Sequence, residues 1–210
     1  MTTDLAGAVT DADVVVEAVP EDLDLKRAVF ARLGGAAGDG TVIASNTSGL
    51  SIQALGSASG RSTQVLGLHF FNPVPAMRLV EVVRAPDTTD EVVARGVEFA
   101  RGVGKEPVEV RDMPGFVTTR LGTLLMCEAM RAYEQGVASA EDVDTAMKLG
   151  YNHPMGPLEL ADRVGLDTVL FILDDLRDAY GVAFAPPALL REMVAEGKLG
   201  RKSGAGFYEY

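Results

Sequence analysis

Apolar residues in the first half of the chain follow two alternating patterns. Short runs rich in β-branched residues, such as ADVVVEAV at 12–19, predict buried strands, whereas apolar residues spaced four apart over 21–33 predict a helix. Similar strand-like runs occupy 41–45, 65–71, 79–83 and 107–110. One further helix is predicted to begin at Ser51, and another covers 89–103. Strands that alternate with helices predict an α/β domain with a largely parallel sheet.

The pattern changes at residues 112–115 (DMPG). Long amphipathic stretches follow, without a convincing strand. Helices are predicted over 116–135, after a capping Ser139, within 156–180 and over 187–196. The chain is therefore expected to form two domains, an α/β domain over 1–112 and an all-helical domain over 113–210.

Composition and charge narrow the class of protein. Hydrophobic residues make up 47% and charged residues 23% of the 210 positions, as in folded globular domains. The net charge of −11 argues against binding to nucleic acid, which requires a basic surface. No apolar run has the length of a transmembrane helix and no signal peptide is visible, so a cytoplasmic protein is expected.

Sulfur and imidazole side chains are scarce. The single cysteine, Cys127, lies in an apolar stretch and is expected to be a small buried side chain in a reducing compartment. With two histidines and one cysteine, no metal site of the usual ligand spacing is expected.

His69 and Glu81 are the leading candidates for chemistry. His69 lies near the end of the predicted strand 65–71, and Glu81 interrupts the apolar run LVEVV at 79–83. A buried carboxylate needs a partner, because leaving it unpaired is costly. If the chain reverses at the proline-rich turn midway between them, the two side chains face each other within reach of a hydrogen bond. Such a pair is a base with an orienting carboxylate, and a structural ion pair is the alternative.

Four other polar residues come after predicted strands. Ser48 follows the second one, where loops of an α/β sheet line a ligand crevice, although shaping a turn is the simpler role. Glu21 and Lys26 lie in the first turns of a helix, where solvated charges are usual. Asn72 precedes a proline, which favours extended or turn geometry for it.

Six phrases of the sequence resemble the 3-hydroxyacyl-CoA dehydrogenase family, including the 3-hydroxybutyryl-CoA dehydrogenases. They run in the family's order through nearly the whole chain. The phrases are VVVEAVPEDLDLK (14–26), IASNTSGLSI (43–52), GLHFFNPVPAMRLVEVV (67–83), DMPGFVTTRL (112–121), AMKLGYNHPMGPLELADRVGLD (146–167) and GKLGRKSGAGFYEY (197–210). HFFNP with the downstream glutamate is specific, and the closing KSGAGFY strengthens the match.

The resemblance implies a Rossmann-type NAD-binding domain followed by a helical domain for substrate binding and dimerisation. It implies NAD-dependent oxidation of an (S)-3-hydroxyacyl-CoA to the 3-ketoacyl-CoA, as in fatty acid β-oxidation or butanoate metabolism. In that reaction His69 would be the base, Glu81 would orient it, and Ser48 would lie beside both nicotinamide and substrate.

Further residues match positions to which the family gives binding roles. Glu21, Lys26 and Asn72 match cofactor-side positions. Thr119 matches a substrate-side position where the family often has asparagine, and a threonine hydroxyl lacks the second polar group of that amide. The implied cofactor is NAD and the implied substrate is an acyl-CoA.

The family's glycine-rich dinucleotide loop has no counterpart in the sequence. No G-x-G-x-x-G follows a predicted strand, since the glycines at 102–104 follow a helix and those at 204–206 come close to residue 210. That loop normally holds the cofactor's pyrophosphate at the positive end of a helix. The sequence is therefore interpreted as an N-terminally incomplete NAD-binding domain, and the 210-residue polypeptide alone is expected to bind NADH poorly.

Two other interpretations stay open: a non-catalytic family member that acts as a folded dimer, and a related β-hydroxyacid dehydrogenase with another substrate. HFFNP with its glutamate argues against the second. A homodimer through the helical domain is expected, because its apolar residues exceed what one small domain needs. The residues concerned include Phe116, Leu121, Leu158, Leu166 and Leu173.

Overall fold

A computed structural model describes residues 2–210. The chain divides into two compact units, the first ending at Phe116 and the second spanning Val117–Tyr210. The division falls a few residues beyond the expected boundary at 112. Asp112 still belongs to the first unit, because its carboxylate accepts a hydrogen bond from the Gln53 amide at 2.8 Å.

Five strands form one sheet in the first unit. They are β1 (Val14–Glu17), β2 (Val42–Ser45), β3 (Val65–Phe70), β4 (Leu79–Arg84) and β5 (Glu106–Arg111), in spatial order β1-β2-β3-β4-β5. Every neighbouring pair is parallel except β3 and β4, which are antiparallel. The predicted α/β domain with a largely parallel sheet is confirmed.

Four helices accompany this sheet. They are α1 (Leu5–Val9), α2 (Leu23–Ala36), α3 (Ile52–Ser59) and α4 (Asp90–Gly102). Ser51 caps α3 as expected, since its side chain accepts a hydrogen bond from the Ala54 amide. The sequence did not indicate α1, which is too short to show a helical period.

Both faces of the sheet are covered. In β2, Ile43 packs with Phe30 of α2 and Leu55 of α3 on one face. The neighbouring Val42 and Ala44 point to the other face, which α4 covers. This burial on both sides explains why the strands read as continuous apolar runs rather than as alternating ones.

The second unit is helical. Its helices are α5 (Thr118–Glu134), α6 (Ala140–Gly150), α7 (Pro157–Val164), α8 (Leu166–Tyr180) and α9 (Ala188–Ala195). The predicted single helix within 156–180 is two helices, because Gly165 between them has φ +103°, a conformation that side chains disfavour. None of the helices among residues 2–210 is long and apolar enough to cross a bilayer.

The core of the second unit absorbs most of its apolar residues. Leu158, Leu166 and Leu173 are fully buried there, so the expectation that they are surplus to this domain is wrong. Cys127 is buried in the same core, as predicted, and burial raises the pKa of its thiol.

Two buried carboxylates hold the C-terminal segment against these helices. Asp144 accepts hydrogen bonds from the Leu158 and Glu159 amides and from the Tyr208 hydroxyl, each at 2.8 Å. Asp162 accepts from two consecutive amides of that segment, each at 3.0 Å. Every one of these contacts satisfies a polar group that folding removes from water.

Candidate active site

His69 and Glu81 face each other across the β3–β4 hairpin. The antiparallel register pairs the two residues directly. The distance from His69 Nδ1 to Glu81 Oε2 is 2.8 Å, and the two residues are 5% and 1% exposed. The predicted reversal at the proline-rich turn, and the contact that follows from it, are confirmed.

The second ring nitrogen of His69 is available for chemistry. An ionised carboxylate only accepts hydrogen bonds, so Nδ1 donates to Glu81 and the neutral ring presents Nε2 as an acceptor. Within residues 2–210 no buried side-chain nitrogen or oxygen lacks a partner, and no protein group hydrogen-bonds Nε2. Nε2 therefore opens to the accessible surface.

Two aromatic rings flank the imidazole. The ring of Phe71 lies 4.4 Å and that of Phe116 lies 5.9 Å from the His69 ring, centroid to centroid. Apolar walls limit the water around the His69–Glu81 pair and so strengthen the electrostatic interaction between the two side chains. They also restrict the ring to the orientation in which Nδ1 meets Glu81.

The loop after β2 lies beside the end of β3. The side-chain oxygen of Asn46 accepts a hydrogen bond from the Phe70 amide at 2.8 Å, which ties the loop to the strand carrying His69. Ser48 is exposed in this loop, and its amide donates to Glu21 Oε1 at 2.9 Å. Ser48 and His69 thus lie at the carboxyl ends of two adjacent parallel strands, where α/β sheets bind their ligands.

Lys26 is a buried side chain and not a solvated charge. It is 1% exposed, and its ammonium contacts Glu17 Oε1 at 2.8 Å, the Val19 carbonyl at 3.0 Å and Glu21 Oε2 at 3.4 Å. Glu17 was not predicted as a site residue from the sequence, although it follows three valines as Glu81 follows a valine. A carboxylate within an apolar run was the signal that could have found it.

Asn72 and Thr119 lie in different units. Asn72 is exposed in the turn after β3, and its peptide bond to Pro73 is cis. The Lys105 ammonium donates to the carbonyls of Val74 and Met77 and so braces that turn. Thr119 lies in the first turn of α5, and its substrate role stays a prediction.

A cluster of metal-ligating side chains is absent from the described residues. Across 2–210, no three His, Cys, Asp or Glu side chains are grouped so that they could hold a metal ion. The site described above contains an imidazole, carboxylates, an ammonium and hydroxyls.

Two family models together match almost all of the chain. Residues 1–113 match "3-hydroxyacyl-CoA dehydrogenase, NAD binding domain", and residues 115–210 match "3-hydroxyacyl-CoA dehydrogenase, C-terminal domain". The chain belongs to the 3-hydroxyacyl-CoA dehydrogenase family. The resemblance drawn from the sequence phrases is thereby confirmed.

Relatives of the 3-hydroxyacyl-CoA dehydrogenase family align over the whole chain. The mitochondrial hydroxyacyl-coenzyme A dehydrogenase of Sus scrofa is 49% identical over 210 residues, which cover 99% of this chain and 67% of that protein. A probable 3-hydroxybutyryl-CoA dehydrogenase of Deinococcus radiodurans is 48% identical, covering 100% of this chain and 75% of that protein. The chain thus spans about two thirds to three quarters of these relatives.

Solved structures of the family share the fold closely. The crystal structure of M. tuberculosis FadB2 superposes with a TM-score of 0.94 at 46% identity, covering 100% of this chain and 74% of that one. (S)-3-hydroxybutyryl-CoA dehydrogenase PaaH1 from Ralstonia eutropha gives a TM-score of 0.94 at 42% identity, covering 98% and 73%.

Proposed function

We propose that this chain oxidises an (S)-3-hydroxyacyl-CoA to the 3-ketoacyl-CoA with NAD, and catalyses the reverse reduction. The observation that carries the proposal is the buried His69–Glu81 pair, 2.8 Å apart, in a chain of this family. The proposal extends to substrates of the 3-hydroxybutyryl-CoA type, because that compound appears in the names of two relatives described above.

His69 acts as the base in this proposal. Its Nε2 takes the proton of the substrate's 3-hydroxyl, and the C3–O bond becomes a carbonyl as C3 loses a hydride. NAD, when bound, accepts that hydride. Glu81 accepts a hydrogen bond from Nδ1 and stabilises the imidazolium that forms, so that the same proton is available for the reverse reaction.

Residues that follow β2 and β3 are the proposed contacts for the nicotinamide end of the cofactor. Ser48 and Asn72 are exposed at the carboxyl ends of β2 and β3 and carry hydroxyl and amide groups, which can hydrogen-bond a carboxamide. Glu21 is 37% exposed beside the same loop, whereas the buried Lys26 supports it from behind. Residues 1–210 contain no glycine-rich turn for the pyrophosphate, so the proposed contacts concern the nicotinamide end alone.

Acetoacetyl-CoA reduction tests the proposal. In purified protein that binds NADH, the NADH should be consumed when acetoacetyl-CoA is added, and a folded His69→Gln variant should be strongly impaired. 3-Hydroxyisobutyrate, offered with NAD, should not be oxidised. Folded wild-type enzyme that binds NADH and leaves acetoacetyl-CoA unchanged would contradict the proposed reaction.

We also propose that the chain forms a homodimer through its helical unit. Helices α5 and α8 pack together, and each carries an exposed apolar residue, Leu121 at 62% and Phe171 at 56% exposure. Val182, just after α8, is 84% exposed. Large apolar side chains that stay exposed on helices of one unit are expected where another protein covers them.

Sedimentation measures the predicted dimer. The wild type should sediment as a dimer at micromolar concentration, and Leu121→Asp with Phe171→Asp should shift it to monomer. Val108→Asp is the matched control, because Val108 is also exposed but lies on β5 in the first unit. A wild type that stays monomeric, or a control that dissociates equally, would contradict a dimer through this surface.

A further inference from the structure

Glu17 ends β1 and is fully enclosed by three donors. Its Oε2 accepts from the Ser45 hydroxyl at 2.7 Å, and its Oε1 accepts from the Val19 amide at 2.6 Å and the Lys26 ammonium at 2.8 Å. The side chain is 1% exposed. The proposed reaction does not use this carboxylate, and a buried charge of this kind needs every one of its partners.

Lys26 is held between two carboxylates. The Lys26 ammonium donates to Glu17 and to the Val19 carbonyl, and it also forms an ion pair with Glu21. Its contact with Glu17 is the shorter of the two ion pairs, 2.8 Å against 3.4 Å. Glu17 therefore determines where the ammonium lies, and the ammonium in turn determines how Glu21 is oriented.

Glu21 passes this orientation to the loop after β2. One of its oxygens faces Lys26, and the other accepts from the Thr47 hydroxyl at 2.5 Å and from the Ser48 amide at 2.9 Å. Two ion pairs and one hydrogen bond thus connect Glu17 with Ser48. We propose that Glu17 is a positioning residue that holds the Ser48 loop at the site through Lys26 and Glu21.

Loss of the charge on Glu17 should move the Glu21 carboxylate in a defined direction. Without the charge of Glu17, Glu21 is the one carboxylate left beside the Lys26 ammonium among the described residues. Glu21 then moves toward Lys26 and releases the Ser48 amide. This inference rests on the proposed dehydrogenase function only for its effect on turnover, since the hydrogen bond to Ser48 can be measured without substrate.

Amide hydrogen exchange measures that hydrogen bond directly. Glu17→Gln should speed exchange of the Ser48 amide about tenfold or more, the effect of losing a bond to a charged acceptor. The Ala44 and Leu66 amides in the neighbouring strands report global opening and serve as the internal reference. In active enzyme, kcat should fall by about tenfold to a hundredfold, as expected when a group at the site is displaced.

A double variant separates positioning from stability. Glu17→Gln with Lys26→Met removes both buried charges, so stability should recover relative to the single variant. Glu21 still lacks its anchor, so exchange at Ser48 should stay fast and kcat low. If the Glu17–Lys26 pair only stabilised the fold, the double variant would regain kcat. Should Glu17→Gln fail to fold, the double variant provides the same two measurements.

Thr88→Val is the matched control. Thr88 is 2% exposed in the same unit, and its hydroxyl donates to the Val65 carbonyl at the opposite end of β3. It should lose stability while Ser48 exchange and kcat stay at wild-type values. Unchanged Ser48 exchange in Glu17→Gln would overturn the inference whatever the activity. Faster exchange in a protein without dehydrogenase activity would overturn the proposed function and leave the positioning role standing.

Discussion

Both units bury carboxylates, but they use them differently. In the helical unit, Asp144 and Asp162 accept only from backbone amides and tyrosine hydroxyls, groups that keep their protons at neutral pH. In the α/β unit, Glu81 pairs with an imidazole whose second nitrogen is open, and Glu17 pairs with an ammonium beside a loop. Burial of a carboxylate alone therefore does not mark a functional site. A carboxylate marks such a site when its partner lies close to an opening or to a loop at the site.

The largest effect is expected at the imidazole. His69→Ala in active enzyme should lower kcat by about 10²–10⁴-fold, because a general base is lost, while the fold persists. Initial rates at saturating substrate and circular dichroism measure the two properties. A loss under about tenfold would place His69 with the structural groups of the helical unit and remove the contrast between the units.

Replacing Asp144 should lower stability and spare activity, the reverse of the result expected for His69→Ala. Asp144→Ala leaves the Leu158 and Glu159 amides without their acceptor and the Tyr208 hydroxyl with the Ala140 carbonyl alone, so the free energy of unfolding should fall by about 2–4 kcal/mol. The kcat of the folded fraction should stay near wild type. Urea unfolding followed by fluorescence measures the first quantity, and Asp142→Ala, an exposed residue of the same helix, is the control. An Asp144→Ala variant that keeps its stability but has a low kcat would contradict the contrast between the carboxylates of the two units.

Tyr208 tests one bond of this network. Tyr208→Phe removes the hydroxyl that donates to Asp144 and keeps the ring, so the unfolding free energy should fall by about 1 kcal/mol. Burial and the neighbouring Asp144 raise the pKa of this hydroxyl, so it remains a donor at neutral pH. The same urea titration applies. A loss as large as that of Asp144→Ala would show that the hydroxyl carries the whole network.

The smallest effect concerns pH. Burial raises the pKa of Asp162 despite its hydrogen bonds to Phe207, Tyr208 and Tyr210. A carboxyl whose pKa is higher in the folded state binds its proton more tightly there. Its contribution to stability is therefore greatest below the unfolded pKa and is lost as pH rises through the folded pKa. The unfolding free energies of the wild type and Asp162→Asn should be compared at several acidic pH values. The wild type should lose stability relative to the variant as the pH rises through the folded pKa of Asp162. A difference that does not change with pH would contradict the raised pKa.

The sequence predicted those parts of the site that depend on local pattern. The pairing of His69 with Glu81 followed from their separation about a proline-rich turn, because a hairpin is a local structure. The strands of the first unit were found for the same reason, since buried runs of β-branched residues are recognisable without knowledge of their neighbours.

Features that depend on distant contacts were missed. Lys26 reads as a surface charge until β1 and β2 come together around it, since Glu17 meets Ser45 across 28 positions of sequence. The break at Gly165 is equally hidden, because the apolar pattern continues through it and only the backbone conformation shows two helices. Three of the leucines expected at a dimer surface are instead buried in the core of the helical unit. Periodicity alone does not show whether an apolar helix face packs inside its own domain or against another subunit.

The antiparallel pairing of β3 with β4 affects how well the proposed His69–Glu81 pair survives changes of sequence during evolution. The two members of the acid–base pair are 12 positions apart on one continuous hairpin, so the turn that closes it is short and its entropic cost is small. His69 and Glu81, the base and orienting carboxylate of the proposed reaction, therefore stay together, because an insertion, deletion or recombination event outside the β3–β4 hairpin leaves their spacing unchanged. The loop carrying Ser48 has no such linkage and depends on the assembled sheet.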